Sequence, residues 1–183
     1  MYQWIIFIAG SLLILAISWK SLRQPGSHGF YRFFAWEIIL ALFAINMKFW
    51  FYKPFSWNQI IAWFLLIVAC IPLAFGVQAL RTRGKPTEQR AGDPSLLAFE
   101  KTTELVTSGI YHYIRHPLYS SLFLLTWGIF FKSPSFIGMV LAVAATLSLI
   151  ATAKADEAEC TRFFGPRYQD YMKHTKRFVP YVF

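Results

Sequence analysis

Apolar residues dominate the chain in long runs, and charged residues interrupt these runs mainly at their ends. Three runs, residues 2–19, 54–80 and 133–153, contain no charged side chain. Two further runs are weaker, because one contains Glu37 and Asn46 and the other is short. A helix that crosses the hydrocarbon core of a bilayer needs roughly 20 apolar residues. The pattern therefore predicts five membrane-spanning helices, over residues 2–20, 32–51, 57–80, 116–132 and 134–154.

The predicted helices and the segments between them form one all-α domain. The first run has no basic start and no small-residue cleavage site, so we expect a span and not a cleaved signal peptide. Gly165-Pro166 should end the helical pattern after the fifth span, because glycine ends helices and proline cannot continue one. A short interfacial helix is expected beyond it. The predicted parts are three amino-terminal spans in 1–80, a cytoplasmic loop in 81–115, a two-helix hairpin in 116–154, and a cytoplasmic tail in 155–183 that completes the site.

The charge balance supports a membrane protein and sets its predicted orientation. Hydrophobic residues make up 56% of the chain and charged residues 15%, and the net charge is +9. All of the 18 basic residues except Lys48, Lys53 and Lys132 lie on one side of the predicted spans. Basic residues accumulate on the cytoplasmic side of membrane proteins. We therefore expect the amino terminus outside, the carboxy terminus in the cytoplasm, a membrane lipid environment, and no nucleic-acid partner.

Arg115-His116-Pro117 stands directly before the fourth predicted span. Proline fits the first position of a helix, where its missing N–H is no loss. The amides that follow have no intrahelical partner, and together with the helix dipole they favour an anion. Arg115 adds a positive charge. The alternatives are a carboxylate-binding site and a plain helix cap with an arginine that contacts lipid phosphate.

Asp156 and Glu157 follow the fifth predicted span. Acidic residues at a helix carboxy terminus oppose the helix dipole. Either the helix continues past them, or a cation neutralises them, and Arg115 or a ligand ammonium group would serve. The alternative is a solvated acidic pair at a helix end.

Other polar residues are expected to be structural. Glu37 and Lys48 interrupt the second span, and we predict structural roles for both, with Lys48 reaching the outer interface. The three remaining histidines are expected at the surface, and two separate cysteines form neither a disulfide framework nor a metal site. These residues are His28, His112, His174, Cys70 and Cys160. No zinc-protease, dinucleotide-binding or P-loop motif occurs in the sequence.

Two groups of residues resemble the motifs of the isoprenylcysteine carboxyl methyltransferase family, integral-membrane enzymes that use S-adenosylmethionine. The first group is Leu105-Val106-Thr107-Ser108-Gly109-Ile110-Tyr111 followed by Arg115-His116-Pro117-Leu118-Tyr119. The second group is Asp156-Glu157, Phe164-Gly165, Tyr168, Tyr171 and Arg177-Phe178-Val179-Pro180. The resemblance covers about residues 100–180, and the first three spans match only in hydropathy.

The resemblance implies a cofactor site at the cytoplasmic face. Arg115 and Glu157 are predicted to be catalytic, and no metal is expected. Tyr111 or Tyr119 could meet the sulfonium of S-adenosylmethionine through a cation–π contact. The residues implied to contact this cofactor are Leu105, Val106, Tyr111, His116, Pro117, Leu118, Tyr119 and Asp156.

Two departures from the family pattern affect the acceptor. Asp156 stands where the family usually has glutamate, and Thr152 stands where it has an arginine that binds the substrate. The implied acceptor is therefore a lipidic or small molecule, with a prenylcysteine carboxylate, a phospholipid amine and a small thiol all open.

Two other classes of protein remain as alternatives. Sterol-reductase-like membrane proteins use NADPH and have a similar carboxy-terminal hairpin, which Asp156, Glu157 and Cys160 resemble. Their motif, however, has an acidic residue soon after the tyrosine, whereas Tyr119 is followed by Ser120-Ser121-Leu122. The third class is a non-enzymatic membrane protein, a transporter or a scaffold. We expect ligand identity to separate the three classes.

Overall fold

Within the residues that the structure describes, the fold consists of six α-helices and three short 3₁₀ segments. A computed structural model describes residues 2–87 and 96–181, and no β-strand occurs among them. The 3₁₀ segments are Met47–Phe49, Ala98–Glu100 and Gly109–His112. The α-helices are α1 (Tyr2–Leu22), α2 (His28–Asn46), α3 (Trp57–Arg83), α4 (Pro117–Lys132), α5 (Phe136–Phe164) and α6 (Pro166–His174).

The helices confirm the predicted class of an all-α membrane protein with about five spans. Within the described residues, α1, α2 with its 3₁₀ extension, α3 and α5 are long and apolar enough to cross a bilayer. Helix α4 begins at Pro117, close to the predicted start, but its 16 residues extend only about 24 Å. That is shorter than a hydrocarbon core of about 30 Å.

Three helix ends differ from the sequence prediction for local reasons. Helix α2 begins at His28, four residues early, because the Ser27 side chain accepts a hydrogen bond from the Phe30 N–H and caps the helix. Helix α3 continues to Arg83. Helix α5 runs on to Phe164, and Gly165, with φ of +62°, ends it before Pro166 starts α6. The predicted helix break at Gly165-Pro166 is confirmed.

The core lies between two pairs of helices. Helix α3 packs along α4, α2 packs along α5, and α1 lies against α2. Small residues allow close approach at these contacts, as is usual between helices in membranes. Ala142 and Ala145 of α5 are fully buried against Leu42 of α2. In α3, a Cβ added to Gly76 would lie 3.1 Å from Pro117 Cγ, so the glycine lets α3 approach the first turn of α4.

The carboxy-terminal tail is fixed to the start of α4 by backbone hydrogen bonds. The N–H of Arg115 donates to the Lys176 carbonyl at 2.8 Å, and the N–H of His116 donates to the Arg177 carbonyl at 3.2 Å. The Ser120 hydroxyl donates to the Phe178 carbonyl at 2.8 Å. Residues far apart in sequence therefore meet where α4 begins.

The two charged residues that interrupt the second span each contact one neighbouring side chain. The Ser11 hydroxyl of α1 donates to Glu37 Oε2 of α2 at 2.7 Å and joins the two helices. Lys48 is exposed, and its ammonium lies 4.8 Å from the centre of the Phe49 ring. Both arrangements agree with the predicted structural roles.

A buried polar cluster holds the far end of α4. The Lys132 ammonium donates to Gln59 Oε1 at 3.0 Å and to the Trp50 carbonyl at 3.2 Å, and it lies 3.4 Å from the Trp63 ring centre. The Gln59 amide donates in turn to the carbonyls of Phe49 and Lys132. Lys132 and Gln59 are each only 1% exposed. A buried ammonium needs such partners to be tolerated.

We expect Gln59→Leu to lower the free energy of unfolding by about 2–3 kcal/mol, because it removes hydrogen bonds to a buried charge. Gln78→Leu on the same helix is the matched control, since Gln78 is exposed and its replacement should change stability little. Thermal unfolding of the two detergent-solubilised variants measures the difference. Equal melting temperatures would show that the cluster contributes nothing.

Candidate active site

A cavity lies at the start of α4. Six parts of the chain form its wall: the starts of α2 and α4, the end of α3, the segment from residue 96 to 111, the last turns of α5, and α6. The lining residues are His28, Leu80, Leu96, Glu100, Thr102, Leu105, Val106, Tyr111, Arg115, His116, Pro117, Leu118, Tyr119, Asp156, Cys160, Phe164, Tyr168 and Tyr171.

The cavity brings together every residue that the sequence predicted to contact a cofactor. Arg115 lines it as well, whereas Glu157 lies behind the wall and does not line it. Residues from two motifs about 40 positions apart thus share one site, because α4 and α5 pack side by side. The eight predicted residues found here are Leu105, Val106, Tyr111, His116, Pro117, Leu118, Tyr119 and Asp156.

His116 is held between two carboxylates. Its Nδ1 lies 3.5 Å from Asp156 Oδ2, and its Nε2 lies 3.4 Å from Glu157 Oε1. Burial opposes protonation of this imidazole, but the hydrogen bonds and charges of the two carboxylates raise its pKa above the usual value. The Tyr119 ring stacks on the imidazole at 5.3 Å, and its hydroxyl donates to Asp156 Oδ2 at 3.1 Å. The Cys160 thiol also donates to Asp156 Oδ1 at 3.4 Å, so three side chains fix Asp156 in the wall.

Glu157 joins three parts of the chain behind the cavity. It accepts from Arg115 Nε at 2.9 Å and from Arg177 Nη2 at 2.7 Å. Arg115 Nη1 also donates to the carbonyls of Met172 and Thr175. Both expected ways of accommodating the acidic pair occur, because α5 continues to Phe164 and Arg115 neutralises Glu157. The two residues predicted to be catalytic are paired with each other, and their catalytic roles stay predictions.

The prediction that His28 lies at the surface is wrong. Its side chain is 1% exposed, and its ring and backbone N–H both bond to Glu159 of α5. The pairing spans 131 residues, and no local pattern reveals it. His112 and His174 are exposed, as predicted.

An ion pair outside the motif residues borders the cavity on the α2 side. Arg32 Nη1 donates to Glu100 Oε2 at 2.8 Å, and Arg32 is only 4% exposed. Glu100 Oε2 also accepts from the Leu97 N–H at 2.8 Å, which fixes the 3₁₀ turn Ala98–Glu100. This pair ties the segment before the first motif to α2. The sequence prediction had counted Arg32 only as a basic residue on the inner side.

Comparisons with known proteins find matches to part of this chain. Residues 92–167 match the sequence model of the phospholipid methyltransferase family. A nickel-cobalt-cadmium resistance protein of Alcaligenes xylosoxydans xylosoxydans is 36% identical over 81 residues, 44% of this chain and 38% of that protein. A methanethiol S-methyltransferase of Crocosphaera subtropica is 26% identical over 78 residues, 42% of this chain and 29% of that protein.

The similarity is confined to part of each protein. The chain matches well under half the length of these curated relatives, and no solved structure matches it. The matched segment nevertheless contains both Arg115-His116-Pro117 and Asp156-Glu157, the groups that carried the family resemblance. Residues 92–167 are thus similar to the phospholipid methyltransferase family, and over these residues the predicted resemblance to membrane methyltransferases is confirmed.

Proposed function

We propose that the protein is an integral-membrane methyltransferase that uses S-adenosylmethionine in the cavity at the start of α4. The observation that carries the proposal is that all eight predicted cofactor residues line one cavity. The family match over residues 92–167 supports methyl transfer over the sterol-reductase-like and non-enzymatic alternatives.

The chemistry of the wall suits this cofactor. S-adenosylmethionine carries a sulfonium, an ammonium, a carboxylate and an adenosine group, and it supplies an activated methyl group. The cavity offers the Asp156 carboxylate, the Arg115 guanidinium and an apolar surface that includes Leu105, Val106 and Leu118. His116 precedes α4 and makes no side-chain cap hydrogen bond among the described residues, so the first amides of the helix are not capped by it. The cavity wall thus combines a negative charge, a positive charge and apolar surface, which match the groups of S-adenosylmethionine.

Each wall residue has a defined part in the proposal. Asp156, fixed by His116 and Tyr119, would hold the positive or hydroxyl groups of the cofactor. The start of α4 and Arg115 would receive its carboxylate, because helix amino termini favour anions. Tyr111 lines the cavity with its aromatic ring, which suits a sulfonium. Catalysis would depend mainly on positioning the acceptor in line with the methyl group within a dry site.

The class of acceptor is inferred from a substrate-binding arginine that is absent here and from the names of similar proteins. Thr152, where the resembled family has a substrate-binding arginine, is fully buried, and its hydroxyl donates to the Ser148 carbonyl at 2.8 Å. It brings no charge to an acceptor carboxylate. A relative named as a methanethiol S-methyltransferase and a family named for phospholipids favour a small thiol or a lipid amine.

Isothermal titration of the detergent-purified protein tests the cofactor. We expect S-adenosylhomocysteine to bind and NADPH not to bind. His116→Ala should weaken S-adenosylhomocysteine binding about tenfold or more, since it removes a side chain that fixes Asp156. His174→Ala is the matched control, because His174 is exposed and does not line the cavity.

Binding of NADPH without binding of S-adenosylhomocysteine would replace this proposal by the reductase alternative. Unchanged affinity in His116→Ala would remove His116 from the cofactor site.

A further inference from the structure

Tyr168 lines the cavity but is not among the eight residues predicted to contact the cofactor. It lies in the first turn of α6 and is only 3% exposed. Its hydroxyl makes no hydrogen bond within the part of the chain that the structure describes. The hydroxyls of buried tyrosines usually have a hydrogen-bond partner. A ligand in the cavity can supply the partner that this hydroxyl lacks.

Two other tyrosines of the wall use their hydroxyls within the protein. The Tyr119 hydroxyl donates to Asp156 Oδ2 at 3.1 Å. The Tyr171 hydroxyl donates to the Tyr111 carbonyl at 2.5 Å and so joins α6 to the segment before α4. These two hydroxyls hold parts of the wall together, whereas the hydroxyl of Tyr168 does not.

Both ends of the Tyr168 side chain lie among residues of the cavity wall. Its ring stacks on that of Phe164, with the ring centres 6.5 Å apart and the planes at 21°. Burial raises the pKa of its hydroxyl well above the usual value, and the nearby side chains of Cys160 and Asp156 raise it further. Since Phe164, Cys160 and Asp156 all line the cavity, the ring and the hydroxyl of Tyr168 both border it.

The wall changes from polar to aromatic along α5. Asp156, Cys160 and Phe164 follow one another at intervals of four residues, and all three line the cavity. Residues at this spacing lie on one face of a helix. Asp156 is bonded to Tyr119 of α4 at one end, and Phe164 stacks on Tyr168 of α6 at the other. This side of the cavity therefore runs about 12 Å from a carboxylate to a pair of aromatic rings.

S-adenosylmethionine has its groups in a matching order. Its charged amino-acid group is at one end, its sulfonium is in the middle, and the flat purine of its adenosine group is at the other end. If Asp156, Arg115 and the start of α4 receive the charged end, the purine falls at the aromatic end. Aromatic side chains stack on the flat bases of nucleotides. The edge of adenine carries hydrogen-bond donors and acceptors, and a tyrosine hydroxyl can pair with either.

We propose that Tyr168 binds the adenosine group of the cofactor, with its hydroxyl hydrogen-bonded to the purine and its ring forming part of the surface that the purine contacts. The inference rests on the proposed methyltransferase function and deepens it by assigning the two ends of the cofactor to the two ends of the wall. It also gives α6 two distinct tyrosines, because Tyr171 fixes the helix and Tyr168 meets the ligand.

Isothermal titration of Tyr168→Phe with two ligands tests the proposal. One ligand is S-adenosylhomocysteine, and the other is 5′-methylthioadenosine, which lacks the amino-acid group. We expect both to bind about threefold to tenfold more weakly than to the wild-type protein, and by the same factor, because one hydrogen bond to the adenosine group is lost. The melting temperature without ligand should not fall, because the lost hydroxyl has no partner in the described protein.

Tyr171→Phe is the matched control, since it removes a hydroxyl from the same helix, one turn along. That hydroxyl has a partner in the protein, the Tyr111 carbonyl, so its loss should lower the melting temperature of the ligand-free protein. A fall of the same size in Tyr168→Phe, or failure of that variant to fold, would show a structural hydroxyl and overturn the proposal.

The ligands themselves give the other decisive outcomes. Unchanged affinity of Tyr168→Phe for both ligands, or a loss confined to S-adenosylhomocysteine, would overturn the role of Tyr168. With the wild-type protein, S-ribosylhomocysteine, which lacks the purine, should compete at least about tenfold more weakly than S-adenosylhomocysteine. Equal competition would mean that the purine has no site. Failure of the wild-type protein to bind S-adenosylhomocysteine would instead overturn the methyltransferase function itself.

Discussion

The Asp156→Asn variant should bind S-adenosylhomocysteine between about 10-fold and 100-fold more weakly than the wild-type protein. Asp156 lines the cavity, and the hydroxyl of Tyr119 and Nδ1 of His116 lie 3.1 and 3.5 Å from its Oδ2. Hydrogen bonds to a charged group contribute about 1.5–3 kcal/mol each, and each 1.4 kcal/mol is tenfold in affinity. Asparagine keeps the size of the side chain, removes the charge and replaces one acceptor oxygen with an amide NH2 group. Isothermal titration measures the loss.

Two matched variants separate loss of charge from loss of structure. Asp156→Glu restores the residue usual in the resembled family, and it should bind more tightly than Asp156→Asn. Asp170→Asn removes an exposed acid that pairs with Lys173 at 3.3 Å at the surface, and it should bind as wild type. Full affinity in Asp156→Asn, with an unchanged melting temperature, would mean that this carboxylate does not touch the ligand.

The site residues that could be predicted are those that lie close to one another in the sequence. Leu105, Val106 and Tyr111 reach the cavity on the short segment that leads into α4, and His116 to Tyr119 form the first turn of that helix. Their joint position is set by chain connectivity. Asp156 joins them because α4 and α5 form a hairpin, and the hydropathy of the two runs predicts a hairpin. The sequence could therefore locate one wall of the cavity.

The opposite wall depends on pairings that no local pattern encodes. His28 meets Glu159 across 131 residues, and Arg32 meets Glu100 across 68 residues. His28 and Arg32 both belong to α2. The hydropathy pattern placed the start of α2 at residue 32, because residues 28–32 include polar side chains. His28 is polar and was therefore expected at the surface, but its contact with the Glu159 carboxylate of α5 allows it to be buried. The first motif alone could not show which spans close the cavity.

Helix α4 shows a second limit of the hydropathy argument. Its apolar run predicted the start to within one residue and was already short, and the helix of 16 residues is shorter than a bilayer core. Its far end is closed by Lys132, a charged residue that a hydropathy pattern places outside the membrane. The partners of Lys132, Gln59 on α3 and the carbonyl of Trp50, keep that charge buried.

The Glu157→Gln variant should lose about 3 kcal/mol of folding stability, the lower end of the cost of breaking a buried ion pair. Glu157 accepts from Arg115 at 2.9 Å and from Arg177 at 2.7 Å, and its side chain is 10% exposed. Glutamine keeps one acceptor oxygen but removes the negative charge that the two arginines contact. Because Arg177 lies in the tail that is bonded to the start of α4, loosening it should also disturb the position of His116.

The ion pair between Lys85 and Glu104 supplies the control for this prediction. Its atoms are 4.0 Å apart, and its side chains are 73% and 49% exposed. Exposed pairs contribute about 0–1 kcal/mol, so Glu104→Gln should unfold nearly as wild type. If Glu157 only positions Arg115 and the tail, Glu157→Gln should lose S-adenosylhomocysteine affinity and turnover together. Loss of turnover at full affinity and full stability would instead make Glu157 a participant in the reaction, as the sequence predicted.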